Sequence, residues 1–194
     1  MRMQQTPRVG PRFLFTLVFA GLLLGLVSNA EAGSAGTTVN FAAKLVGGTC
    51  QIAVDRTTIA FTSVSSSVVK GAGVDGIDPQ LLTLSFSDCA GWGLTPKIQV
   101  SGTTITAGIP LFRNVNAASD YSQGYGVKLV QQGQATAISS LDKLTVGSAN
   151  AQLSTLNSQS LTFEARLSCG SCTPGPGLSG GNMNATVTFQ FIYE

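Results

Sequence analysis

The sequence predicts an all-β protein, a single sandwich of six to eight antiparallel strands. Three observations carry this expectation. Apolar and polar residues alternate with a period of two in one segment after another, as in strands with one buried face. Stretches rich in Gly, Ser, Asn and Pro, such as 65–79 and 173–181, separate those segments as turns. No segment keeps a helical apolar stripe for three turns.

The chain opens with Arg2, Arg8 and Arg12 and no acid, followed by the apolar run 13–27 and then Ser28-Asn29-Ala30-Glu31-Ala32. A basic head, an apolar middle and a small-x-small end describe a secretory signal peptide over 1–32. Cleavage is expected after Ala32, with Ala30 as the alternative. The apolar run would cover only ~22 Å as a helix, short of the ~30 Å hydrocarbon core.

The whole chain has 11 Lys+Arg against 9 Asp+Glu and no His. Three Arg and Glu31 fall within 1–32, which leaves 8 bases against 8 acids. The remainder is neutral and carries no basic stripe for nucleic acid. Without His, neither a Ser-His-Asp nor a Cys-His catalytic system can be built, nor a His-containing zinc site.

From residue 33 on, the alternating segments follow in order. Val39, Phe41 and Ala43 alternate with polar or small neighbours, and so do Leu82, Leu84 and Phe86. Ile98 and Val100 come next, then Val127 and Leu129. Leu161, Phe163, Ala165 and Leu167 form a longer set, and Ala185, Val187, Phe189, Phe191 and Tyr193 the last and most apolar one. Short helical pieces are expected around 141–144 and 149–156. Asp75, Asp78 and Asp88 are taken as solvated loop acids.

The four cysteines, Cys50, Cys89, Cys169 and Cys172, follow the signal segment. In an oxidising compartment an even count predicts disulfides, and four Cys allow three pairings. Cys50 and Cys89 each end a strand-like segment, which favours Cys50–Cys89 with Cys169–Cys172. Cys169-Gly170-Ser171-Cys172 also fits a redox or metal motif. A low-pKa thiol needs a helix N-terminus, however, and Thr173-Pro174-Gly175-Pro176-Gly177 cannot open a helix. A single C-x-x-C lacks the partner pair of a zinc site. A loop clamp is the expected role.

The two ends of the domain look unfinished. The last strand has five apolar residues on one face and needs cover. Residues 33–38 are small and uncharged and run into the alternating 39–43. Such a segment could pair with a neighbouring copy by β-augmentation, a head-to-tail contact that propagates into a fibre. A sandwich closed by its own first strand is the alternative.

Several motifs now align. Val39-Asn40-Phe41-Ala42-Ala43-Lys44-Leu45-Val46 runs into Cys50, and Cys89 follows. Gly124 precedes Gly126-Val127-Lys128-Leu129, and Leu161-Thr162-Phe163-Glu164-Ala165-Arg166 comes later. Gly181 stands fourteen residues from the end, before Asn184-Ala185-Thr186-Val187-Thr188-Phe189 and the penultimate Tyr193. On these residues the chain resembles the pilin subunits of the chaperone–usher pathway, the type 1 and P pilus families.

That resemblance implies an incomplete immunoglobulin-like β-sandwich that lacks its last strand and is completed by a donor strand. It implies a signal peptide at 1–32, a donor extension at 33–46 and a pilin domain over 39–194. The donor face would be alternate residues, Ala35, Thr37, Val39 and Phe41. The groove and chaperone-facing residues would be Gly181, Val187, Phe189, Phe191, Tyr193 and Glu194. The implied partners are a periplasmic pilus chaperone, an outer-membrane usher and neighbouring subunits, with no cofactor, metal, nucleic acid or enzymatic activity. The product would pass through the periplasm to a cell-surface fimbrium that supports adhesion.

Two features depart from the family pattern. Alternation back from Phe41 puts Thr37 where the family's donor strand usually has Gly, with Gly36 one place away. Cys169–Cys172 is absent from the commonest members. The alternative function is a minor tip adaptor or adhesin contacting host glycan, for which Trp92, between Gly91 and Gly93, is the candidate aromatic. A loop Trp packed over the disulfide is its ordinary role, and Asn184-Ala185-Thr186 matches an N-glycosylation acceptor by coincidence. Cys50 is only the eighteenth residue after Ala32, which leaves too few for an extra lectin domain. A thiol oxidoreductase would rest on Cys169 and Cys172 alone.

Overall fold

A computed structural model of the chain describes residues 40, 42–43, 47–92, 95–115, 120–173 and 177–194. The chain divides into two compact units, Met1–Ala42 and Ala43–Glu194. In the first, Asn40 and Ala42 are the described residues, and both are exposed. The expected signal segment 1–32 and the donor residues Ala35, Thr37, Val39 and Phe41 lie outside the described residues. No helix among the described residues is long and apolar enough to cross a membrane.

The second unit is a β-sandwich. Its strands are β1 (Gly48–Val54), β2 (Ile77–Gly91), β3 (Pro96–Ser101), β4 (Thr104–Thr106), β5 (Pro110–Phe112), β6 (Gly126–Gln131), β7 (Lys143–Thr145), β8 (Ser160–Ser168) and β9 (Thr188–Tyr193). One sheet runs β1-β2-β8-β6-β5-β4 and the other β7-β3-β9. Every ladder is antiparallel. The period-two faces meet between the sheets. Leu82, Leu84 and Phe86 of β2, Leu129 of β6 and Phe163 of β8 pack opposite Ile98 and Val100 of β3. Phe189 of β9 brings its ring centroid 4.9 Å from that of Phe163.

β2, 15 residues long, lies between β1 and β8 and carries two bulges. Its register shifts between Ile77 and Gln80 against β8, and opposite Thr49–Gln51 against β1. At these places Asp78 and Asp88 have φ of 53° and 51°. Asp tolerates the left-handed region better than most residues, so both acids belong to a strand rather than to loops. This corrects their assignment as solvated loop acids.

Other local expectations also change. Helix α1 (Ser66–Ala72) and a 3₁₀ turn (Gly73–Asp75) occupy the stretch expected to be turn. Residues 141–144 are not helical, since β7 begins at Lys143. The second helical piece is a 3₁₀ segment, Leu153–Ser158, with Leu153 and Leu156 buried. Cys50 does not end a strand but stands third in β1, whose Cys50, Ile52 and Val54 face the core. Disulfides join Cys50 to Cys89 and Cys169 to Cys172. The second closes a tight turn in a satellite core with Val69 and Tyr125. Gly170 sits there with φ 60°, and a Cβ on it would come 1.9 Å from the Ala107 carbonyl oxygen.

Phe163 is wholly buried at the centre of both layers. Phe163→Ala is expected to lower unfolding free energy by about 3–5 kcal/mol, read from denaturant melts of the domain.

Candidate functional site

Among the described residues no strand closes the sandwich along β9. Among the described residues β9 pairs with β3 alone, from Pro96↔Tyr193 to Ser101↔Thr188. Its other edge borders a groove of ≈ 550 Å³ that opens into the core. Met183, Ala185, Val187 and Phe189 form one wall, at the two-residue spacing of an extended chain. Val54, Ile59 and Phe61 form the opposite wall. The floor is the inner face of the large sheet: Leu82, Val127, Leu129 and Ala165. Arg56 supplies the one charged side chain of the described lining.

The wall opposite β9 is tied down at its two ends. The Asp55 amide donates to the Thr83 carbonyl at 3.0 Å, and the Asp55 carboxylate accepts from the Thr83 amide at 2.9 Å. Asp78 accepts from the Thr62 amide at 2.8 Å, the Thr62 hydroxyl at 3.0 Å and the Gln80 side-chain amide at 2.7 Å. These bonds, the Thr62 amide first, hold the Asp78 carboxyl below the usual aspartate range. Between the two ties, 56–61 makes no backbone hydrogen bond to another described residue. Among the described residues, the groove therefore has a run of backbone groups without a backbone partner on each side and an apolar floor between them.

The lead-in to β9 is held from outside the groove. The Asn114 amide donates to the Asn184 carbonyl at 2.9 Å, and the Asn114 side chain accepts from the Thr186 amide at 3.1 Å. Neighbouring this tie is a buried cation that sequence reasoning missed. Arg113 donates from Nη1 to the Tyr125 carbonyl at 3.1 Å and from Nη2 to the Ser122 carbonyl. It thereby fixes the 120–125 turn, whose Ser122 and Gln123 amides bond the Asn182 and Ser179 carbonyls. Nothing in the sequence marks Arg113 as buried, because a lone Arg is ordinarily exposed.

The expected groove residues are distributed along this wall. Val187 and Phe189 line the groove, and Phe191 packs on the core. Gly181 and Met183 line a smaller cavity of ≈ 90 Å³ with Val69 and Tyr125. Tyr193 lies at the far end, near Gly47. Glu194 accepts Lys97 at 2.6 Å and also pairs with Lys143. Trp92 stands 67% exposed. Among the described residues no cluster of His, Cys, Asp or Glu could hold a metal ion.

The chain matches the model of the fimbrial protein family over residues 38–194. It belongs to that family. Among solved structures it is similar to the P pilus rod subunit PapA. The two are 20% identical, with a TM-score of 0.44, over 81% of this chain and all of PapA. No curated protein matches it. As a fimbrial protein, the chain is a structural pilus subunit at the cell surface and not an enzyme.

Lys143 and Lys97 hold the Glu194 carboxyl down to about 2, against ~4.3 for an ordinary glutamate. A carboxyl with a lowered folded value stabilises most above its unfolded pKa and loses that contribution as pH falls. The tether should therefore weaken between pH ~4.3 and about 2. Being half-exposed, it should also fade with added salt. The wild-type melting temperature is expected to fall more steeply than that of Glu194→Gln across this window, and 1 M salt should narrow the gap.

Proposed function

We propose that this fimbrial subunit polymerises by donor-strand exchange. The observation that carries the reading is the open apolar groove beside the edge of β9 that no described residue pairs. A strand placed there could bond two backbone edges and cover Leu129, Ala165 and Phe189 in one step. Residues 35–41 of a neighbouring copy suit the slot. Seven extended residues span ~23 Å, the same count as the wall 183–189. Ala35, Thr37, Val39 and Phe41 are uncharged, as the floor requires.

The energetics favour so short a strand. Full burial of Val39 and Phe41 contributes ~1.5–3 kcal/mol each. Each backbone hydrogen bond adds ~0.5–1.5 kcal/mol net. The same groove would be covered before assembly by a strand lent by a periplasmic chaperone. An outer-membrane usher would supply the site of exchange, following export directed by residues 1–32. The assembled fimbrium would serve adhesion. A tip adaptor contacting host glycan is the second reading, and exposed Trp92 is the observation that favours it.

The domain from residue 43 onward should melt at low temperature alone. A peptide of residues 35–43 should raise that melting temperature by about 4–12 °C, roughly what 2–3 kcal/mol gives a domain of this size. A stable monomer indifferent to the peptide would count against the groove's role. Deleting residues 33–39 from the full chain should leave chaperone binding intact and abolish incorporation into fibres, scored by electron microscopy of the cell surface.

A further inference from the structure

We propose that the Cys169–Cys172 bridge positions one end of the donor strand, by fixing the wall of a second, smaller cavity into which the groove continues. This role rests on the donor-strand reading above and adds to it a device outside the groove. Cys50–Cys89 joins β1 to β2, 39 residues apart in sequence. Cys169 and Cys172 are three apart, and both follow β8. Such a bridge fixes a single turn, so its role lies in what that turn supports.

The turn is held on two sides. Between β4 and β5 the Ala107 carbonyl accepts from the Ser171 amide at 2.7 Å and from the Ser171 hydroxyl at 3.2 Å. At the end of α1 the Gly73 carbonyl accepts from the Ser168 hydroxyl at 2.9 Å, and that hydroxyl accepts from the Gly170 amide at 2.9 Å. Cys172 has φ 51°, a left-handed conformation that residues other than Gly, Asn and Asp rarely adopt. Its bond to Cys169 keeps it there. Both Cys are buried, and Val64, Val69, Tyr125 and Leu167 belong to the same apolar cluster.

Those four side chains also line the cavity of ≈ 90 Å³. One apolar layer thus has the bridge within it and the cavity on its surface. Met183 lines both the cavity and the large groove, and the cavity extends the β9-side wall from Met183 to Gly181. The opposite wall continues likewise, from Phe61 to Val64 and Ser66.

The β9-side wall therefore runs over 181–189. Residues 35–43 of a second copy match it in length and face it with Ala35, Thr37, Val39, Phe41 and Ala43. Whichever way that strand runs, Val39 stands opposite Ala185 and an alanine stands at the cavity, either Ala35 or Ala43. With the bridge cut, residue 172 relaxes out of its left-handed conformation, the layer shifts, and the alanine loses its seat.

Trimmed strands test this. Peptides 35–43, 37–43 and 35–41 are titrated against the monomeric chain and against its Cys169→Ala plus Cys172→Ala variant. Trimming either end of 35–43 should weaken binding to wild type about tenfold, from one buried methyl group and one backbone hydrogen bond. Without the bridge, one of the two steps should shrink to about twofold, the scatter of uncoupled sites, while the other stays. Two unchanged steps would overturn the proposal. So would a variant that weakens all three peptides by one factor, because a bridge serving overall stability alone would do that. Should the alanine pair fail to fold, Cys169→Ala with Cys172→Gly takes its place, since Gly reaches the φ of residue 172 without a side-chain penalty and leaves the turn unlocked. Failure of 35–43 to bind wild type would remove the donor-strand reading, and this role with it.

Discussion

A strand satisfies its backbone on two sides, and among the described residues β9 is paired on one. The residues around it are arranged about that fact. Its inner face reaches the core through Phe189 and Phe191, so it cannot be peeled away without emptying the middle of the sandwich. Its outer edge and the 56–61 segment opposite stand apart with hydrophobic floor showing between them. Unpaired backbone groups beside apolar surface form a strong template for one more strand. Family membership, the groove and the uncharged segment 35–41 meet in this single deficit.

The groove keeps its shape because its walls are held from outside. Asp55 and Asp78 tie one wall to β2 at its two ends. Asn114 and the turn fixed by Arg113 steady the lead-in to the other. Lys97 and Lys143 secure the far end through Glu194. Each tie uses side chains or backbone that point away from the slot. Among the described residues the groups facing the slot are left without partners, a form of pre-organisation that would lower the ordering cost of receiving a strand.

Much of this was legible in the sequence because half-buried strands write their burial as alternation. β2, β3, β6, β8 and β9 each carry at least two alternating apolar positions. The alternation over 185–189 was legible for the same reason, while its place beside a groove was implied only by the family resemblance. Shorter elements escaped. β7 has three residues, too few for any period, and was expected to be helical. Helix α1 buries Val69 alone and has no side-chain cap, so nothing local announced it. The bulges at Asp78 and Asp88 were hidden because acids in a strand pattern resemble loop residues until the register shift is visible. The wall opposite β9 was not legible either, since 56–61 is irregular and its place is set by Asp55 and Asp78 reaching β2.

The ladder between β9 and β3 has a mechanical meaning. Its hydrogen bonds lie across the strands, and the Cα pairs run without a shift from Pro96↔Tyr193 to Ser101↔Thr188. Tension applied along the strand axis strains all of these rungs at once. Tension applied sideways would open them one after another, as in a zip. A subunit pulled lengthwise by its neighbours is thus loaded in shear, the direction in which a short ladder resists rupture best.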